Sequence, residues 1–242
     1  MRLVVAALVL AYVMPPYSVI RRMAEYRDDL QLTNLQVEGT VTVPQAAAAE
    51  FANALGVGAG PSELQLAGTV SMRLPGRCRV ELSSLDSTRS VAAISNAGKR
   101  RAEGVELPVL QVAADEICAA LALRGAGEGE SRASVERHLG ALKVDTKQSS
   151  LARYDGTLAY VVGNPAQGSP QLWVYKDDKF HPARLRFADD KGVQWDVKFK
   201  DYASQAVDAF PRLVEVWKGG ELQLRFTTLN VDAKTKLDDK LF

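Results

Sequence analysis

The hydrophobic period of the chain changes several times, and each change marks a new element. From Tyr17 to Leu30 the apolar residues Val19, Met23, Tyr26 and Leu30 recur at intervals of four, three and four, which is one face of an amphipathic helix. The period then falls to two. Leu35, Val37, Val41 and Val43 alternate with Gln36, Glu38, Thr40 and Thr42, the pattern of a strand with one buried and one wet face. The alternation returns at Leu64, Leu66, Val70 and Met72, then at Cys78, Val80 and Leu82, and more weakly over 91–95, which predicts an antiparallel meander. Between the first two strands, residues 44–62 carry four consecutive alanines followed by Gly56, Gly58 and Gly60, read as a short helix and a loop.

The middle of the chain returns to a helical period. Leu110, Ala114, Ile117 and Leu121 fit one helix face, and Val135, Leu139 and Leu142 fit another, with Gly125, Gly127 and Gly129 between them as either a hinge or a tolerated surface loop. The remainder reads as β. Leu158, Tyr160 and Val162 follow an Asp155-Gly156 turn, Trp173 and Tyr175 lead to Asp177-Asp178, and Leu185 and Phe187 lead to a turn at Asp189-Asp190-Lys191-Gly192. Val193, Trp195, Val197 and Phe199 then alternate with Gln194, Asp196, Lys198 and Lys200, and a Gly219-Gly220 turn joins the last hairpin. The sum is an α+β domain of roughly 10–11 strands, a single large curled antiparallel sheet or unclosed β-barrel, with an N-terminal helix and a two-helix lid over one face.

Simple geometry gives that face a meaning. Ten strands about 4.8 Å apart and about 20 Å long present on the order of 1000 Å² of apolar surface. Three or four helices, each covering roughly 10 by 20 Å, shade about 600 to 800 Å² of it. The remainder is either a concavity kept for an apolar ligand or a fully packed half-barrel.

The N-terminus adds a question of location. Arg2 precedes an apolar run over 3–13, closed by Met14, Pro15 and Pro16. Eleven helical residues rise about 16 Å, roughly half a bilayer core, so the run reads as a secretory leader over 1–18 with one domain over 19–242. An uncleaved anchor or a misassigned start codon is the alternative, because no clean small-x-small triplet follows the run. The expected location is the periplasm.

Composition narrows the chemistry. The 30 Lys and Arg against 29 Asp and Glu leave a charge of +1, without the basic excess of a nucleic-acid surface. Two histidines and two cysteines are poor material for a zinc site, and no G-x-S-x-G, H-E-x-x-H or Walker sequence occurs. No catalytic residue, metal or cofactor is expected. His138 is read as lying on a solvated helix surface, His181 as leading into a strand, and the basic run Lys99-Arg100-Arg101 as a solvated turn or a contact for anionic lipid or protein. Cys78, on a predicted strand, and Cys118, on the first lid helix, are either two buried thiols or, in an oxidising compartment, a disulfide.

The order of elements resembles the periplasmic lipoprotein-carrier superfamily, the Lol-type fold also used by the sigma-factor regulator RseB. The residues that carry the resemblance are Pro170-Gln171-Leu172-Trp173-Val174, Phe180-His181-Pro182-Ala183-Arg184-Leu185, Val197-Lys198-Phe199-Lys200-Asp201-Tyr202 and Ala209-Phe210-Pro211-Arg212. Leu35-Gln36-Val37-Glu38-Gly39 and Gly76-Arg77-Cys78-Arg79-Val80-Glu81 add to it in the first half. The resemblance implies an unclosed barrel with a helical lid over a cavity that accepts acyl chains. The lid-latching arginine of such carriers matches no single residue, since Arg73, Arg77 and Arg79 all stand in the neighbourhood, and the segment 44–62 is additional.

Two functions follow from this reading. One is a non-enzymatic periplasmic carrier or chaperone for the acyl chains of lipoproteins or lipids in outer-membrane lipoprotein sorting, meeting envelope and membrane proteins transiently and working as a monomer. Its cavity would be lined by Leu66, Met72, Val80, Trp195, Phe199, Leu224 and Phe226 and closed by Leu110, Ile117 and Leu121. For each of these positions ordinary core packing is the competing reading. The other function is a regulatory or assembly module of the cell envelope that binds another protein through the same fold.

Overall fold

The computed structural model describes residues 13–58, 60–86, 88–96, 98–124, 129–202 and 208–242. All but Val13 of the N-terminal apolar run, and all but Gly129 of the three hinge glycines, lie outside the described residues. The N-terminal helix α1 (Pro16–Asp29) opens with proline in its first turn, where the missing N–H is not needed. It is followed by β1 (Asn34–Val43), α2 (Gln45–Leu55), β2 (Leu64–Arg73), β3 (Arg77–Ser83), β4 (Ser90–Asn96) and β5 (Lys99–Glu103). The two mid-chain helices are α3 (Pro108–Leu121) and α4 (Glu130–Ala141). The second half supplies β6 (Ser149–Tyr154), β7 (Thr157–Val162), β8 (Gln171–Tyr175), β9 (Pro182–Ala188), β10 (Gln194–Lys200), β11 (Leu213–Lys218) and β12 (Glu221–Asp232).

All twelve strands belong to one antiparallel sheet of order β5-β4-β3-β2-β1-β12-β11-β10-β9-β8-β7-β6. The first and last strands of the chain, β1 and β12, pair at its centre, while β5 and β6 are its two free edges. The sheet is therefore unclosed. It is also curled: α3 touches β3 and β4 on one half and β9 and β11 on the other, which a flat sheet of this width would not allow. The strands number twelve against the roughly 10–11 expected, and the two that the hydrophobic pattern does not mark, β5 and β6, are both edges. Lys99, Arg100 and Arg101 are not a turn but the start of β5, a strand wet along most of its length and so without an alternating apolar signal.

The inward positions of the strands join the buried faces of α1, α2 and α3 and part of α4 in one hydrophobic core. The additional segment folds as expected into a helix, α2, which buries Ala47, Ala48, Phe51, Ala52 and Leu55 and contacts β1, β2 and β4. At the centre of the sheet, Gly39 and Gly68 stand opposite one another on β1 and β2. A methyl group at Gly68 would lie 2.7 Å from Val41 and 2.8 Å from the Phe226 ring, so the missing side chain is what lets that ring lie against the strands.

Candidate functional site

The residues named for a cavity do converge. Leu66 and Met72 on β2, Val80 on β3, Trp195 and Phe199 on β10, and Leu224 and Phe226 on β12 all belong to the buried core. Leu110, Ile117 and Leu121 of α3 are buried in the same core, so sheet and helix residues form one continuous apolar interior. Where α1, α3 and α4 meet the sheet, a small void of about 10 Å³, room for one water at most, is lined by residues including Met23, Val135, Leu139, Leu172 and Leu185.

Helix α3 is clamped to the first half of the sheet at several points. Cys78 of β3 and Cys118 of α3 form a disulfide with Cα atoms 5.5 Å apart. Gln111 Nε2 donates to the Ile94 carbonyl on β4 at 3.4 Å, and Arg100 of β5 pairs with Asp115 at 2.7 Å. Arg100 therefore fastens a helix to the sheet edge, a role the basic run does not reveal in sequence.

Helix α4 is held differently. It buries only Ser131, Val135 and Leu139, and it packs on α1 and α3. Ser131 Oγ donates to Asp28 Oδ1 at 2.6 Å, and His138 Nε2 lies 2.8 Å from Glu116 Oε2. The Glu116 side chain is 3% exposed and that of His138 25%, so His138 is not on a solvated surface but faces a buried carboxylate from one turn before the end of α4. Burial by itself would lower the His138 pKa; the Glu116 carboxylate outweighs it and holds the imidazole above its ordinary value. The raised value favours the charged imidazole, so the α3–α4 contact includes an ion pair between His138 and Glu116.

None of the three arginines near the β2–β3 turn contacts the helices through these ties. Arg73 and Arg77 pair with Asp239 at 2.7 and 2.6 Å, and Arg79 pairs with Glu81 and Glu103 at 3.0 and 2.5 Å. Two other arginines reach across instead. Arg27 Nη2 of α1 donates to the Leu121 carbonyl at the end of α3 at 2.7 Å, and Arg124 Nη1 donates to the Leu32 carbonyl at 3.0 Å. The first satisfies a carbonyl at the C-terminal end of α3, which has no partner within the helix, and the second a carbonyl in the loop between α1 and β1. The sequence carries a signal for Arg27, because it follows Val19, Ile20, Met23 and Ala24 on the buried stripe of α1.

A second concavity opens at the strand ends. It is a cleft of about 440 Å³ lined by acidic, phenolic and basic groups, among them Asp155, Tyr175, Asp177, Lys179, His181 and Tyr202. His181 is buried, stacks on Tyr202 with centroids 4.1 Å apart, and has Nδ1 2.8 Å from Asp177 Oδ2. Asp177 also accepts from the backbone N–H groups of Lys179 and His181 at 3.1 and 3.3 Å. Desolvation would raise its pKa, but the hydrogen bond and charge of His181 outweigh that and hold it below the usual carboxylate range. The pair is accounted for by the β8–β9 turn it stabilises. Among the described residues no group of three or more His, Cys, Asp or Glu is arranged to hold a metal ion, and no helix is long and apolar enough to cross a membrane.

No protein-family model matches the chain, and no curated protein matches it. Solved structures do. A LolA superfamily protein from Nitrosomonas europaea superposes with a TM-score of 0.50 at 13% identity, covering 95% of this chain and 98% of its own. A putative outer membrane lipoprotein-sorting protein domain from Vibrio parahaemolyticus gives 0.51 at 11% identity, with 91% and 93% covered. A DUF1329 family protein from Desulfovibrio piger gives 0.50 at 11% identity, with 93% and 96% covered. At these identities the likeness is one of fold alone, and it extends over nearly the whole length of the chain.

Proposed function

We propose that this protein is a non-enzymatic carrier or chaperone that shields the acyl chains of a lipid or lipoprotein between the curled sheet and its helices, and that it works in the periplasm. The observation that carries the reading is the continuous apolar interior roofed by a helix, α4, that is tied down at a few polar points. Its fold is that of proteins described as LolA superfamily and lipoprotein-sorting, and the mechanism needs no covalent chemistry. Apolar burial at about 25 cal/mol per Å² holds the chain, and displacement of the roof admits and releases it. Because α3 is clamped by the disulfide, Gln111 and Arg100, the movable part in this account is α4 with the adjoining face of α1.

The small void favours a second reading, in which the interior is only a core and the fold presents a surface to another envelope protein. Uptake of a fluorescent fatty acid separates the two. Saturable binding that is abolished by an engineered crosslink between α1 and α4, and restored when the crosslink is reduced, supports the carrier. A crosslinked protein that binds as the free one does, or no binding in either form, contradicts it.

A further inference from the structure

Arg27 is the most expensively placed charge in the described structure. It is 1% exposed, and it occupies the position of the α1 stripe where the next apolar residue is due. Of its donors, Nη2 bonds the Leu121 carbonyl, while Nε and Nη1 have no partner and no carboxylate pairs with it among the described residues. The groups whose charge it feels are phenols, Tyr202 and Tyr26. Burial pushes its pKa down to about 10, which still leaves it charged at neutral pH. A guanidinium in this position loses its hydration without gaining a counter-ion, and unpaired buried charges of this kind are strongly unfavourable.

Capping the last carbonyl of α3 does not require that arrangement. Arg124 makes an equivalent bond to the Leu32 carbonyl from a part-exposed position, where water reaches the rest of the guanidinium. Arg27 has donors left over, buried and without a partner among the described residues. Four residues before it on the same stripe, Met23 lines the small apolar void with Leu172 and Leu185, so apolar space begins about 6 Å along the helix from the Arg27 backbone. An amphiphile laid along this stripe would have its tail at Met23 and its head at Arg27.

We infer that Arg27 is the receptor for the oxyanion head, carboxylate or phosphate, of the acyl ligand whose tail enters at the void beside Met23. The inference rests on the carrier reading and adds to it the chemical class of the ligand: a single-headed anionic lipid rather than a neutral one. The guanidinium fork matches both oxyanions, and their charge supplies a counter-ion that no described residue provides. In the free state the Leu121 bond keeps the guanidinium in place, so the site is partly preorganised.

The test compares decanoate, decyl phosphate and decanol on the intact protein by calorimetry and thermal shift, with Arg27→Met and Arg27→Lys beside the wild type. The expected result is that wild type binds at least one anion roughly tenfold or more tightly than decanol, in keeping with a charged hydrogen bond. The ratio of decanoate to decyl phosphate identifies the head. Arg27→Met should bind decanol as wild type does, lose the preference, and melt no lower when empty, because it removes an unpaired charge. If Arg27→Met does not fold, Arg27→Lys serves: it keeps the charge without the fork and should retain only part of the preference. Equal binding of all three ligands by wild type, or a preference that survives in both variants, would reduce Arg27 to a helix cap and leave the carrier reading standing. Binding of none of the three overturns both.

Discussion

At the scale of single residues, two glycines test the packing in opposite directions. Gly68→Ala drives a methyl group into Val41 and the Phe226 ring at the centre of the sheet, and is expected to destabilise by about 1 to 3 kcal/mol in denaturant unfolding. Gly140→Ala sits near the end of α4 with open space around it and no left-handed backbone, and is expected to stabilise by about 0.5 to 1 kcal/mol. The ion pair between His138 and Glu116 adds a pH dependence with a definite sign. The folded-state pKa of His138 is raised, so its contribution is complete below the unfolded value near 6.5 and is lost as pH rises through the folded value. Hydrogen exchange in α4 should accelerate relative to α3 across that rise, after correction for the intrinsic rate. His138→Gln should flatten the difference; an unchanged profile in that variant would show that the pair does not hold the helix.

At the scale of elements, the disulfide and the sheet edges carry the argument. The Cys78–Cys118 bridge closes a sequence separation of 40 residues, which in the chain-entropy model stabilises by about 4 kcal/mol. Replacing both cysteines by serine should lower the melting temperature and also increase exchange in α3; a variant that melts with the oxidised protein would mean that the bridge contributes nothing. What the sequence discloses at this scale follows from how much of each element is half-buried. The strands with both neighbours in place, such as β1 and β10, alternate cleanly between apolar and polar residues because one face meets the core and the other water. The edges β5 and β6 escape that reading, since Lys99, Arg100 and Arg101 are exposed or paired at the rim and β6 is half-buried almost throughout. Helices α1, α3 and α4 show their apolar stripes, but a stripe tells nothing of what a polar residue does within it. Arg27 and Glu116 stand on buried faces for reasons that only the meeting of helices supplies.

At the scale of the whole molecule, one sheet wrapped round its helices creates an interior larger than any pair of elements needs. Phe51 and Leu55 of α2 fill the side near β1, β2 and β4, α3 fills the middle, and α4 closes what remains near β8 and β9. The three covers differ in how they are fastened. The helix α2 is packed through alanines and Phe51, α3 is covalently bridged, and the ties of α4 include the Ser131 hydroxyl, His138, the Arg132 guanidinium over the Tyr17 ring and the buried Val135 and Leu139. The carrier proposed above requires one cover that yields while the others hold. Native mass spectrometry of the purified, unheated protein, followed by organic extraction and identification of whatever leaves it, tests that account most directly. The expected result is a stoichiometric acyl-bearing ligand that is lost when the interior is overfilled by Leu172→Trp with the circular dichroism spectrum retained. A protein that flies empty, and stays empty after incubation with fatty acid or lysophospholipid, would contradict the carrier and leave a fold whose interior is only its core.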